Sequence, residues 1–328
     1  MRTILKHKSL DIFFINRTKF VFLFKKYPIS VINSFVFCKS VILLLIFFLF
    51  ISPKVFAKDF SDNYYVIGEN DDVSEVAMRY DISVNELIYS NPNIEDFHNL
   101  KEGELLYLPF NRIPPNSDKE GIVINLAEPR LYYFPKKNDG KFQTFPIAVG
   151  SDQKTPQGKT YIARKKKDPY WIPPESIRQE NPLLPKIVFS GPENPLGTRA
   201  LYVEDKFDKK WENIMIHGTN NPSSIGFSVS HGCIRLYPQD IEKLFDLVEL
   251  KTAVTILNQP LKVAEIDDEV YLEVHLEDWE ELEEEPDIRG FICSYIKDCD
   301  KKVDWQKARE VVKQNSGVPT IITKNEKL

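Results

Sequence analysis

Apolar and polar positions divide the chain into stretches of different periodicity. Val41 to Ile51 (VILLLIFFLFI) is an unbroken apolar run behind Lys39, followed by Ser52, Pro53 and Val55-Phe56-Ala57. A membrane-spanning helix needs about 20 apolar residues, whereas the apolar stretch of a secretory signal needs about 7–15 and ends in small residues. Residues 1–57 therefore read as a signal peptide with a long basic leader, cut after Ala57; an uncleaved anchor is the alternative. Residues 63–109 predict a small βααβ unit. Tyr65-Val66-Ile67 is a short strand stopped by Gly68; Val73, Val76, Ala77 and Tyr80 follow helical spacing. Ser83 can cap a second helix carrying Leu87 and Ile88, and Leu105 to Leu108 closes the unit.

Residues 110–120, with Arg112-Ile113-Pro114-Pro115 at their centre, read as a linker. Residues 121–258 are dominated by short alternating or apolar runs (IVINL, RLYYF, TFPIAV, KTYIA, RALYV, NIMIHG, AVTIL) punctuated by Gly and Pro, which predicts a mainly β domain. One clear helix interrupts it from Pro238, with Ile241, Leu244, Phe245 and Val248 at i, i+3, i+4 and i+7. Residues 259–328 form an acidic C-terminal subdomain. Tyr271 to His275 alternates as a strand, Asp304 to Gln314 reads as a small helix, and the Asp/Glu-rich stretch from Lys262 to Asp287 reads as a solvated face.

Composition and charge narrow the class. At about 100–200 residues per domain, 328 residues allow two or three units, and 42% apolar with 12% aromatic residues is too much for a disordered chain. The net charge of -5 hides an asymmetry, because the first 57 residues hold nine Lys/Arg against the single Asp11. The remainder is strongly acidic, which argues against nucleic acid as a partner. Export would leave three cysteines, Cys233, Cys293 and Cys299. Cys293 and Cys299 are the natural local disulfide in an oxidising compartment, and Cys233 is then the odd thiol, available for chemistry.

The chemistry concentrates between Ile216 and Leu236 (IHGTNNPSSIGFSVSHGCIRL). His217 leaves an apolar strand and Cys233 follows the turn Ser230-His231-Gly232. A cysteine nucleophile needs a base or an imidazolium partner, and a strand-loop-strand excursion of this length can bring the two side chains together. Gly232 lets the backbone turn so that nearby amides converge on an oxyanion. Taken singly, His217 also reads as a structural histidine and Cys233 as a small buried hydrophobe. Zinc on His217, His231 and Cys233 lacks a fourth ligand.

Two resemblances follow from these residues. Tyr65-Val66-x-Gly68, Asn91-Pro92 and Leu100-x-x-Gly103-x-x-Leu106-x-Leu108-Pro109 are similar to the LysM module, which binds N-acetylglucosamine-containing glycans. The segment departs from that pattern at Asn70-Asp71-Asp72-Val73, which makes retention of the fold the stronger expectation. His217 with Ser230-His231-Gly232-Cys233, Thr155-Pro156-Gln157-Gly158 and Asn194-Pro195-Leu196-Gly197 resemble the L,D-transpeptidase (YkuD) catalytic domain, and the whole order of parts resembles the Gram-negative subgroup that attaches Braun lipoprotein to peptidoglycan. The resemblance implies a β sandwich with a short helix, beside the LysM-like unit and a small α+β C-terminal region.

It further implies a periplasmic enzyme acting on peptidoglycan stem peptides and glycan. Cys233 would attack the third stem residue and expel D-Ala, and His217 would be its proton partner, oriented by the Gly218 carbonyl. Amides of His231, Gly232 and Cys233 would hold the oxyanion, and Ser230 and Arg235 would shape or bind the substrate, Arg235 through the stem's free carboxylate. The acyl acceptor would be another stem or an outer-membrane protein such as a lipoprotein. No metal or organic cofactor is called for, and carbapenems acylate the family. Hydrolysis of stems by the same thiolate, and a non-catalytic wall-binding role, are the alternatives.

Overall fold

The computed structural model describes residues 63–136, 141–151, 154–205, 207–276 and 286–324. The signal-peptide expectation lies outside the described residues. No helix among the described residues is long and apolar enough to cross a membrane.

The first part is built as βααβ. Strands β1 (Tyr64–Val66) and β2 (Leu105–Tyr107) pair antiparallel around helices α1 (Val73–Arg79) and α2 (Val84–Ser90). Helix α1 starts where the Asp72 carboxylate accepts from the amides of Ser74 and Glu75. Helix α2 starts on a reciprocal capping box between Ser83 and Glu86, which satisfies two otherwise orphaned amides. Val76, Ala77, Leu87 and Leu106 fill the core.

The central part contains β3 (Gly121–Asn125), β4 (Arg130–Phe134), β5 (Gln143–Gly150), β6 (Gly158–Lys167), α3 (Glu175–Glu180), β7 (Arg199–Glu204), β8 (Met215–His217), β9 (Ser228–Ser230), β10 (Ile234–Leu236), α4 (Pro238–Leu247) and β11 (Ala253–Leu257). The sheet runs β10-β8-β7-β6-β11-β3-β4-β5-β9, and β10 also pairs with β5. The two layers are thus continuous, a mainly β sandwich whose sheet rolls round until the strand after Cys233 joins both ends. Ile122, Ile124, Leu131, Phe145, Ile162 and Ile216 fill its interior, and α4 adds Ile241, Leu244 and Phe245 from one face. Helix α3 buries none of its residues and has no side-chain cap, so it carries no amphipathic signal in the sequence.

The C-terminal part is α+β. Strands β12 (Leu261–Ile266), β13 (Glu269–Val274) and β14 (Thr320–Ile321) form an antiparallel sheet packed by α5 (Ile288–Tyr295), α6 (Cys299–Lys302) and α7 (Trp305–Gln314). Cys293 and Cys299 are bridged, with Cα atoms 5.3 Å apart.

One expectation changes here. The acidic stretch is not uniformly a solvated face: Glu273 is fully buried, 2.6 Å from Lys262 Nζ and 2.7 Å from His275 Nε2. Lys262 Nζ also lies 2.5 Å from Glu128 on the central part, so the carboxylates point inward because an equally buried ammonium stands between them. The Pro-rich segment read as a linker is anchored along its length. The Ile113 amide donates to Glu273 at 2.6 Å, and Asn116 exchanges hydrogen bonds with Gln259 and Val263. The βααβ part is fastened by Glu86, whose carboxylate meets Arg112 at 3.1 Å and Arg130 of β4 at 2.6 Å.

Candidate active site

Strands β8 and β10 run parallel, with Ile216 opposite Ile234 and His217 opposite Arg235. Side chains alternate across a strand, so His217 and Arg235 share a face, and Cys233, two residues before Arg235, approaches from the same side. The excursion from Gly218 to Cys233 leaves and re-enters the sheet at adjacent strands, which brings the ends of a sixteen-residue span to paired strands.

His217 is buried, and its Nδ1 lies 2.6 Å from the Gly218 carbonyl. A carbonyl oxygen only accepts, so Nδ1 carries the proton and Nε2 keeps its lone pair. Burial and the Arg235 charge push the imidazole down to about 4, against a smaller upward pull from the Gly218 bond. Cys233 is the free cysteine among the described residues and is half-buried, with Sγ 3.4 Å from the Asn213 carbonyl. Burial pushes its thiol above the ordinary range, opposed by hydrogen bonding from the Met215 backbone and by Arg235. Both groups therefore rest in their neutral forms near neutral pH. Arg235 is itself partly buried and has no carboxylate partner among the described residues.

The turn before Cys233 is held by Ser230 and Thr155. Ser230 Oγ donates to the Cys233 carbonyl at 2.5 Å and accepts from the Gly232 amide at 3.1 Å. The Gly232 amide, one of the expected oxyanion donors, is thus engaged inside the turn. Gly232 is required for another reason, its φ of 113°, which L side chains rarely adopt. Thr155 Oγ1 accepts from the Gly150 amide at 2.7 Å and donates to the Gly232 carbonyl at 3.0 Å, tying the end of β5 to the turn. A methyl group on Gly150 would sit 2.8 Å from Gly232 Cα.

His231 lies on the exposed side. Its Nε2 is 3.2 Å from both carboxylate oxygens of Glu180 in α3, a partner 51 positions away and not a local one. The Asn194-Pro195-Leu196-Gly197 turn buttresses the other side. Asn194 donates to the Pro169 carbonyl at 2.7 Å and accepts from the Leu196 amide at 2.8 Å. A Cβ on Gly197 would stand 3.0 Å from Gly218 Cα, so the turn packs directly behind His217. Sequence reasoning missed Asn213 and Glu180, neither of which carries a motif; Thr155 was visible within Thr-Pro-x-Gly, but its partners were not.

Among the described residues, Glu128, Glu273 and His275 stand close enough together to hold a metal ion, but the Lys262 ammonium occupies the position a cation would take. Cys293, Cys299 and Asp300 also cluster, with both thiols spent in the disulfide.

Residues 119–256 match the model of the L,D-transpeptidase catalytic domain, the YkuD family. The Probable L,D-transpeptidase ErfK/SrfK of Escherichia coli (strain K12) is 34% identical over 265 residues, covering 75% of this chain and 81% of that protein. The chain belongs to the L,D-transpeptidase family. The Probable L,D-transpeptidase YcfS of the same strain is 30% identical over 287 residues, covering 84% of this chain and 88% of the relative, so the likeness reaches well beyond the catalytic domain. Among solved structures, an L,D-transpeptidase from Mycobacterium smegmatis aligns with a TM-score of 0.32 at 20% identity, over 42% of this chain and 58% of that one. In this family member the central β domain carries His217, Cys233 and Arg235 together, flanked by two further folded parts.

Proposed function

We propose that the chain is an exported cell-wall enzyme in which Cys233 is acylated by the third residue of a peptidoglycan stem tetrapeptide, releases D-Ala and passes the stem to an amine. The observation that carries the reading is His217, fixed through Nδ1 by the Gly218 carbonyl with its Nε2 lone pair free, on the strand face shared with Arg235 and approached by Cys233.

The resting neutrality of both groups sets the order of events. The Cys233 thiol gives its proton to His217 Nε2 as Sγ bonds to the stem carbonyl carbon, forming a tetrahedral oxyanion. Amides of Cys233 and His231 stabilise that oxyanion, the Gly232 amide being engaged. The carbon–nitrogen bond then breaks, and the imidazolium returns its proton to the departing D-Ala amine. An acceptor amine, from a second stem or a protein, attacks the thioester; His217 takes its proton and the carbon–sulfur bond breaks. Arg235, with no carboxylate partner among the described residues, pairs with the stem carboxylate, a bidentate contact suited to guanidinium. The βααβ part acts as a LysM-like module that keeps the enzyme on its polymer.

Intact-mass analysis tests this. Incubation with a stem tetrapeptide gives a covalent adduct lacking one D-Ala and releases that D-Ala, whereas Cys233→Ala gives neither. An adduct surviving in Cys233→Ala overturns the assignment.

A further inference from the structure

A cavity of about 290 Å³ lies where the three parts meet, at the lower edge of the range of small-ligand sites, about 300–1,000 Å³. Asn85, Tyr89 and Arg112 line it from the βααβ side, Phe227 and Ser228 from the segment leading into β9, and Ser316 from the C-terminal part. Its ionised groups are already paired. Glu86 is held by Arg112 and Arg130, and Glu128 by Lys262, so the walls offer no uncompensated charge to an ion. What remains is aromatic surface beside polar groups. The hydroxyls of Tyr89 and Ser228 have no hydrogen-bond partner among the described residues. Aromatic faces flanked by hydroxyl and amide groups match a neutral polyol better than an anion, a cation or a hydrocarbon.

Its position relative to the nucleophile follows from β5. The Gly226 amide, on the cavity wall, donates to the Ile147 carbonyl at 2.9 Å, and the turn at Gly232 abuts Gly150. Ile147 and Gly150 are three residues apart on one strand, about 10 Å at roughly 3.3 Å per residue. An extended peptide of three residues also spans at most about 10–11 Å. We propose that this cavity binds a neutral saccharide unit of the glycan that carries the stem, so that the third stem residue reaches Cys233, a placement that rests on the stem-peptide reading above. The saccharide stacks against Tyr89 and Phe227 and takes hydrogen bonds from the free hydroxyls.

Calorimetric titration of the full chain carrying Cys233→Ala tests the placement with three ligands: N-acetylglucosaminyl-N-acetylmuramyl tetrapeptide, the tetrapeptide alone and the disaccharide alone with its lactyl carboxyl capped as the methylamide. The disaccharide-tetrapeptide binds about tenfold or more tightly than the tetrapeptide. Tyr89→Ala, which removes a half-exposed ring, and Ser316→Trp, which fills the space, each erase that gain while leaving tetrapeptide binding unchanged. Equal affinity for the two ligands in the parent overturns the proposal. So does a gain that survives both substitutions, since it places the saccharide elsewhere. If the disaccharide binds in a Tyr89-dependent way and the tetrapeptide does not bind at all, the cavity assignment stands and the stem reading falls. Binding of none of the three overturns both.

Discussion

His217 and Arg235 stand opposite one another in the parallel pairing of β8 and β10, so a buried imidazole has a permanent cation as its cross-strand neighbour. The Arg235 charge disfavours imidazolium and helps burial hold His217 at about 4. Replacing Arg235 by Gln removes that repulsion and moves the His217 titration upward. NMR titration of the His217 ring, together with the acid limb of the acylation profile, reads the shift; an unmoved titration contradicts the coupling. KM for the stem rises as well, because the carboxylate loses its partner.

The Cys233 thiol is held protonated by burial. Without substrate, alkylation by iodoacetamide is therefore slow at pH 7, and its rate inflects above the pKa of an ordinary cysteine. This separates transfer of the proton during attack from a pre-formed thiolate–imidazolium pair. An inflection well below 7 in stopped-flow alkylation would rule out the first.

Thr155 spends its one hydroxyl on both sides of the site, receiving from Gly150 and giving to the Gly232 carbonyl. Thr155→Val preserves shape but strands a buried amide and a buried carbonyl, at about 1–3 kcal/mol each. Acylation falls by about tenfold or more from the loosened turn, and thermal unfolding shifts down. Thr155→Ser retains the hydroxyl and restores most of the rate. A Val variant with parental acylation contradicts the clamp.

How much of this was legible depended on the range of the interactions. Helix α4 and the Ser83 cap of α2 are local patterns: the spacing of Ile241, Leu244 and Phe245 marked the one and Ser83 the other, while the reciprocal role of Glu86 came only with the structure. His217 and Cys233 were singled out because a motif brackets them, and the pairing of β8 with β10 sets their strands side by side. The Glu180–His231 contact, the Asn213 carbonyl under the thiol and the closure of the sheet through β10 and β5 join segments distant in sequence and leave no periodic trace. Glu273 was misread because the sign of a charge does not tell which face it takes; the buried Lys262 decides that.

Two buried carboxyls give stability opposite dependences on pH. Glu86, pulled down to about 2 by Arg112 and Arg130 despite its burial, contributes stability that is fully present above its unfolded pKa and is lost as pH falls from about 4.5 through 2. Asp240 is pushed up to about 8 by burial and by the neighbouring Asp81 carboxyl, and its Oδ2 finds no donor among the described residues. Between about 4 and 8 the folded chain binds the extra proton, so this site lowers stability as pH rises through that window. Calorimetry of Glu86→Gln shows a large loss at pH 7, about 3–5 kcal/mol for a broken buried pair, that shrinks toward pH 2. Asp240→Asn is more stable than the parent at pH 8 and matches it near pH 4. Parallel curves for parent and Asp240→Asn contradict the upward shift of Asp240.

The two histidines of the motif differ in environment, and the roles divide accordingly. His217 is buried, has a fixed tautomer and presents a free Nε2, whereas the His231 ring is exposed and occupied by Glu180 in a surface pair worth about 0–1 kcal/mol. Loss of an activating base commonly costs about 10²-fold or more. His217→Ala therefore abolishes acylation by the tetrapeptide. His231→Ala loses only a rim contact and is slowed by less than about tenfold, an effect that Glu180→Gln reproduces. Single-turnover acylation with folded variants measures the contrast. A near-normal rate in His217→Ala with loss in His231→Ala reverses the roles and moves the proton transfer to the exposed ring.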